Sequence, residues 1–219
     1  MTPNSDPQAQ DLVDALPAVT QAQLTALRDR LPVTAEQLTA LRDRLAASAD
    51  ASGVLDVAYR TLSTPVGTLL LAATGTGLIR VAYESEGHDQ VLETLASLVS
   101  PRILNAPRRL DPAAREIDEY FSGARTRFDL PLDFSLSAGF RRTVLTHLSD
   151  IGYGHTASYG VVAAAAGRPR AVRAVGTACA TNPLPVVVPC HRVIRSDGSA
   201  GGYLGGPDAK RLLLTLEAA

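Results

Sequence analysis

The hydrophobic pattern of this 219-residue chain changes period twice, and those two changes restrict its fold class. In the first fifty residues leucines recur at spacings of three and four. The segment Gln-Leu-Thr-Ala-Leu-Arg-Asp-Arg-Leu at 23–31 returns unchanged at 37–45. Each copy follows a Thr-x-x-Gln capping box, Thr20 to Gln23 and Thr34 to Gln37, and Pro32 interrupts between them. These features predict a helical hairpin, which either packs on the main body or serves partner binding or self-association. Residues 46–53 read as a linker.

From residue 54 the runs become strand-like. Residues 54–61, 66–73 and 77–83 are rich in Val, Leu and Ile and punctuated by Gly and Pro, which predicts an antiparallel meander. Helices are expected over 88–99 and 112–121, the second capped by Asp111, and a short edge strand over 128–132. After Phe134 the chain turns helical again, with segments at 139–148, 158–166, 170–180 and 207–218. The expected class is therefore α+β: a helical extension (1–52), a small antiparallel-sheet domain with helices (53–135) and a mostly helical domain (136–219).

No apolar run approaches the ~20 residues of a membrane span, and the first residues lack the basic start and apolar stretch of a signal peptide. Two cysteines of unequal surroundings make no disulfide framework, so a cytoplasmic protein is expected. No cysteine pair or Cys/His cluster has metal-ligand spacing, so neither metal nor cofactor is expected. Net charge is −1 and unevenly placed. Residues 151–219 carry seven basic side chains against three acidic, whereas residues 1–150 carry 14 against 19. The basic excess suits contact with a phosphate backbone, although such an imbalance is common on ordinary surfaces. It includes Arg168, Arg170 and Arg173 at the start of the second helix of a helix-turn-helix pattern, beside Ala171, Ala174 and Gly176. Small side chains there permit close approach to nucleic acid and equally permit helix–helix packing.

The chemistry concentrates in Pro189-Cys190-His191-Arg192-Val193-Ile194, directly after Val186-Val187-Val188. A thiol so placed is desolvated on one side, with His191 and Arg192 expected to bring positive charge that favours the thiolate. Most free cysteines are small buried hydrophobes, and Cys179 fits that description. Cys190 does not, having Pro, His and Arg as neighbours and a glycine-rich segment (198–206) after it.

This hexapeptide resembles the active-site signature of the O6-alkylguanine-DNA alkyltransferases. Ser158-Tyr159, Arg173-Ala174-Val175-Gly176, Asn182-Pro183, Gly202-Tyr203-Leu204-Gly205-Gly206, Lys210 and Glu217 stand at the family's spacings around it, and the turn Ser63-Thr64-Pro65-Val66-Gly67 is similar in plan. The resemblance covers about residues 54–219. It implies a ribonuclease H-like sheet domain followed by a DNA-binding and alkyl-transfer domain, and a partner in duplex DNA containing O6-alkylguanine (O4-alkylthymine secondarily), bound through the minor groove. It further implies a monomer able to assemble cooperatively on DNA, and no membrane role.

By resemblance, Tyr159 rotates the 3′ phosphate and donates a proton to guanine N3, while Arg173 replaces the flipped base. Ser158, Ala171 and Ala174 contact DNA. Cys190 attacks the alkyl carbon, with His191 as base through a water, Glu217 polarising the histidine and Asn182 supporting the turn. The backbone amides of Cys190 and Val193 read the base, and Pro189, Tyr203, Leu204, Gly205 and Lys210 line its pocket. Nothing in this set hydrolyses a thioether, so the protein is expected to act once.

The chain departs from the family at several points. The zinc ligands of some relatives have no counterpart before position 179, Leu204 stands where some carry a small hydroxyl residue, and Leu145 stands where many carry tryptophan. The duplicated segment lies outside the shared pattern, and its partner is unspecified. Two rival readings are a damage-binding module that flips bases without transfer, against which Cys190 argues, and a Cys-His hydrolase with turnover.

Overall fold

The computed structural model describes residues 34–218. Residues from Asp43 onward form one compact unit, distinct from the unit that ends at Arg42.

Helix α1 (Ala35–Ala51) opens as the sequence predicts. Thr34 Oγ1 accepts from the Gln37 amide at 3.2 Å, and Gln37 Oε1 accepts from the Thr34 amide at 3.0 Å. The matching box at Thr20 lies outside the described residues. The expected linker is instead helical as far as Ala51, because its alanines bury a face: Ala46 is 6% exposed and belongs to the core, and Asp50 pairs with Arg109 at 3.4 Å. The leucines at 38, 41 and 45 remain exposed.

Strands β1 (Val57–Thr64), β2 (Gly67–Ala73) and β3 (Leu78–Tyr83) form the antiparallel meander, and β4 (Ile103–Asn105) adds parallel to β1, giving the order β3-β2-β1-β4. Strands β2 and β3 are buried on both faces over most of their length, which explains their continuous apolar runs. Leu69, Leu71, Val81 and Tyr83 face the large core, while Leu70, Ala72, Ile79 and Ala82 meet Val91 and Leu95 of α2 (His88–Leu98).

Helix α3 (Asp111–Phe121) sets Ala113, Ala114, Ile117 and Tyr120 on one buried face of the large core. Asp111 is not its cap. A 3-10 turn over Pro107–Leu110 runs straight into the helix, Asp111 already has helical dihedrals, and its carboxylate pairs with Arg60 at 2.7 Å. The expected edge strand at 128–132 is reduced to one bridge, Leu132 with Leu78.

The helical part comprises α4 (Gly139–Leu148), α5 (Tyr159–Ala165), α6 (Val172–Ala180) and α7 (Gly206–Glu217). Ser158 caps α5, its Oγ accepting from the Val161 amide at 3.3 Å. Gly167, at φ 76°, lets the chain leave α5 and turn into α6, completing the helix-turn-helix. Leu145 is fully buried. Two residue pairs of short parallel strand, β5 (Ala157–Ser158) with β6 (Val193–Ile194), tie the segment after Cys190 to the start of α5. Among the described residues no helix is long and apolar enough to cross a membrane.

Candidate active site

Cys190 opens a 3-10 turn, Cys190–Arg192, and is 2% exposed. Asn182 Nδ2 donates to its Sγ at 3.1 Å and to the Val188 carbonyl at 2.9 Å, while Asn182 Oδ1 accepts from the Leu184 amide at 3.0 Å. These bonds brace a loop in which Val186 sits at φ 72°, a region β-branched residues rarely enter. Burial pushes the Cys190 thiol up to about 11, against smaller downward pulls from Asn182 and Lys210.

That result corrects the expectation of a thiolate favoured by adjacent positive charge. The charge of Arg192 is directed at Glu217, with Nε to Oε2 at 2.8 Å and Nη2 to Oε1 at 2.9 Å. Its Nη1 donates to the Ile151 carbonyl. His191 is fully buried. Burial lowers its pKa, an effect the adjacent carboxylate only partly offsets, so the ring is neutral at pH 7.

His191 Nε2 lies 2.8 Å from Glu217 Oε1 and can only donate to that carboxylate, which leaves Nδ1 as the acceptor. Nδ1 is buried and has no hydrogen-bond partner among the described residues, so cysteine and histidine are not directly bonded.

Glu217 gathers the site. Besides His191 and Arg192, Tyr120 donates its hydroxyl to Oε1 at 2.6 Å, and the Gly154 amide lies 3.4 Å from Oε2. Burial opposes ionisation of the carboxyl, but hydrogen bonds from His191, Arg192 and Tyr120 overcome it and hold the group at about 2.

The pocket residues surround this centre unequally. Tyr203 meets the His191 ring edge-on, with centroids 6.2 Å apart, and its hydroxyl lies 2.8 Å from that of Tyr83 on β3. Buried Lys210 has no carboxylate partner among the described residues. Its Nζ donates to the Val193 carbonyl at 2.6 Å and lies 3.4 Å from that of Gly202, bracing two backbone segments beside the thiol. Leu204 lines a groove of about 650 Å3 with Arg80, Leu95, Leu136 and Asn182, and Cys190 is not among its walls.

The amides expected to read a base are engaged inside the turn. Val193 N–H donates to the Cys190 carbonyl, closing the 3-10 turn, and Cys190 N–H donates to the Val188 carbonyl at 2.8 Å in a tighter two-residue turn just before it. Pro189 accepts from the Arg192 amide at 3.0 Å.

On the helix-turn-helix, Arg173 and Ala174 are exposed, Ala171 and Ser158 partly so, and Arg173 makes no ion pair among the described residues. Arg168 turns back instead, its guanidinium 5.0 Å from the centre of the Phe140 ring. Tyr159 heads α5 with its hydroxyl against Gly201.

Sequence reasoning missed Tyr120, Tyr83 and Arg80. Arg80 lies near the Val81, Asn182 and Pro183 carbonyls at 3.1–3.4 Å and pairs with Glu86, so β3 holds the turn that carries Asn182. Among the described residues no three His, Cys, Asp or Glu side chains group as metal ligands.

A two-lobed fold with a helix-turn-helix and a buried Cys-Asn-His-Glu cluster is the arrangement of a DNA-modifying protein that carries its own nucleophile. The chain belongs to the 6-O-methylguanine DNA methyltransferase family: its ribonuclease-like domain model matches residues 57–134 and its DNA-binding domain model residues 139–219. The methylated-DNA–protein-cysteine methyltransferase of Mycolicibacterium paratuberculosis is 40% identical over 161 residues, covering 74% of this chain and 92% of that protein. The inducible enzyme of the same name from Bacillus subtilis is 38% identical over 148 residues, or 67% and 82% of the two chains. The crystal structure of Mycobacterium tuberculosis OGT in complex with DNA matches with a TM-score of 0.65 at 37% identity, over 74% of this chain and 92% of that one.

Proposed function

We propose that this protein repairs DNA by direct transfer of the alkyl group from O6-methylguanine in duplex DNA to Cys190, once per molecule. The observation that carries this reading is the buried thiol held by Asn182, with a neutral histidine beside it whose acceptor nitrogen is unused and whose donor nitrogen is fixed on Glu217. Family membership supports the reaction class.

At pH 7 a thiol titrating at about 11 is ionised in roughly one molecule in ten thousand, so proton removal must accompany attack. A water bridging Sγ and His191 Nδ1 takes the thiol proton to the ring, and the ionised Glu217 stabilises the imidazolium. The sulfur lone pair forms the S–C bond as the C–O6 bond breaks, and the bonding pair passes to the purine. A proton from Tyr159 to N3 leaves neutral guanine, so the base gains one proton as the thiol loses one.

The nucleotide enters by flipping, since Cys190 is 2% exposed and O6 is stacked inside a duplex. The exposed Arg173 fills the vacated place from the minor groove, with Ser158, Ala171 and Ala174 alongside. Tyr203, Lys210, Gly205, Pro189, Val193 and Leu204 form or brace the pocket. Residues 53–135 act as scaffold and 136–219 as the transfer domain. The protein works as a cytoplasmic monomer that can assemble cooperatively on DNA. A hydrolytic Cys-His pair is disfavoured, because Nδ1 does not contact the sulfur.

The test is intact and peptide mass after incubation with a duplex containing one O6-methylguanine. One methyl on the Cys190 peptide, saturating at one per molecule, is expected, with Cys190→Ala binding DNA but gaining no mass. Tight binding by the unaltered chain without an adduct overturns the transfer.

A further inference from the structure

Tyr120 belongs to the sheet lobe, yet its hydroxyl ends on the oxygen that receives the His191 proton. It is fully buried on α3 and donates to Glu217 Oε1 at 2.6 Å, the range of a charge-assisted O–H···O bond. His191 Nε2 approaches the same oxygen at 2.8 Å and Arg192 Nη2 at 2.9 Å. Three donors therefore share one carboxylate oxygen, and each drains electron density available to the others.

We propose that Tyr120 is a positioning residue for alkyl transfer: by competing with His191 for Glu217 Oε1, its hydroxyl sets how strongly the histidine takes up the thiol proton. The inference rests on the functional reading above and adds to it a participant from the first lobe.

The groups facing this centre are few. The reactive turn contributes Cys190, His191 and Arg192, helix α7 contributes Lys210 and Glu217, and Tyr203 faces the His191 ring. The 151–154 loop contributes Tyr153, whose hydroxyl donates to the Leu216 carbonyl at 3.0 Å. Arg192 fixes the carboxylate through both oxygens, so loss of the tyrosine hydroxyl leaves Glu217 in place. What changes is the share of charge on Oε1. With less competition the carboxylate holds the imidazolium more tightly, and His191 is protonated at a higher pH. Since only neutral His191 accepts the thiol proton, the acidic limb of the rate profile moves with it. A tyrosine that merely fills space leaves that limb where it is.

The experiment measures adduct formation by intact mass with free O6-benzylguanine, which needs no base flipping, from pH 5 to 9. Three full-length proteins are compared: the unaltered chain, Tyr120→Phe, and the chain with 3-fluorotyrosine incorporated at position 120. The fluorinated phenol is more acidic, hence a stronger donor of nearly the same shape. The limb is expected to move up by about half a unit or more in Tyr120→Phe and down in the fluorinated protein. Limbs that superpose on that of the unaltered chain overturn the inference. If Tyr120→Phe does not fold, the fluorinated protein alone decides it. If the unaltered chain forms no adduct, the functional reading itself fails, and NMR titration of the His191 ring across the same proteins still decides the tyrosine's effect by the same directions.

Discussion

Gly205 rests on the face of Tyr83. A methyl group on its Cα would lie 2.5 Å from Tyr83 Cζ and 2.7 Å from two further ring carbons. Its φ of −77° is open to any residue, so the requirement is steric and comes from the other lobe. Gly205→Ala should lower unfolding stability by about 1–3 kcal/mol. Thermal unfolding of the single variant and of Gly205→Ala in a Tyr83→Ala background checks this, with most of the loss expected to disappear in the second.

Asn182 makes three buried hydrogen bonds, one of them to the Cys190 sulfur. Asn182→Ala should cost about 2–4 kcal/mol of stability and raise the thiol pKa further. The rate of Cys190 alkylation by iodoacetamide as a function of pH is expected to fall at neutral pH, with its midpoint displaced upward.

Two groups of the site add to the acid dependence of stability that the lowered carboxyls of Asp56, Asp133 and Asp197 already give, and they do so in successive windows. The folded pKa of His191 is depressed, so the unfolded chain binds a proton first and stability declines as pH falls below about 6.5. The folded pKa of Glu217 is also depressed, to about 2 from 4.5. Its contribution, on the order of 3 kcal/mol, is complete above the unfolded value and is lost between pH 4.5 and 2. Urea unfolding across pH should show both declines in the unaltered chain, and Glu217→Gln should make the lower one shallower, the part carried by Asp56, Asp133 and Asp197 remaining.

Arg173 projects from α6 with no ion pair among the described residues. Arg173→Ala should slow repair of a duplex substrate roughly tenfold or more while leaving the reaction with free O6-benzylguanine unchanged. Equal losses on both substrates would remove its assignment as the residue that replaces the flipped base.

Removal of the extension depends on where the cut falls. A chain beginning at Asp43 keeps Ala46 in the core and Asp50 on Arg109 and should retain transfer. A chain beginning at Ala51 loses both and should unfold at a lower temperature, by a few degrees. Loss of transfer in the longer chain would show that the duplicated segment belongs to the working fold.

What the sequence revealed was local. The β1–β3 meander, the helices begun at 139 and 158 and the Cys190 hexapeptide each follow from neighbours within a few positions. Strand β4 escaped because three residues carry no periodicity, and the alanine-rich stretch after residue 45 looked like a linker because alanine signals neither a core nor a loop. The destination of Tyr120 was hidden for a different reason. Its place on the apolar face of α3 is legible, but its hydroxyl meets a carboxylate 97 positions away. Tyr83 and Tyr203 meet across 120 positions. Such pairings are set by how two lobes dock, and no periodicity records that. The charge of Arg192 was misread for the same reason, since its partner lies 25 residues downstream.

The single carboxylate shared by Tyr120, His191 and Arg192 also shapes how this site can change over generations. Replacing any one of the three alters the load on the other two, so the four positions form an epistatic unit in which single steps are penalised. A library randomised at one of them should return few residues besides the present one, phenylalanine at position 120 among them. One randomised at all four together is where other working combinations would be found.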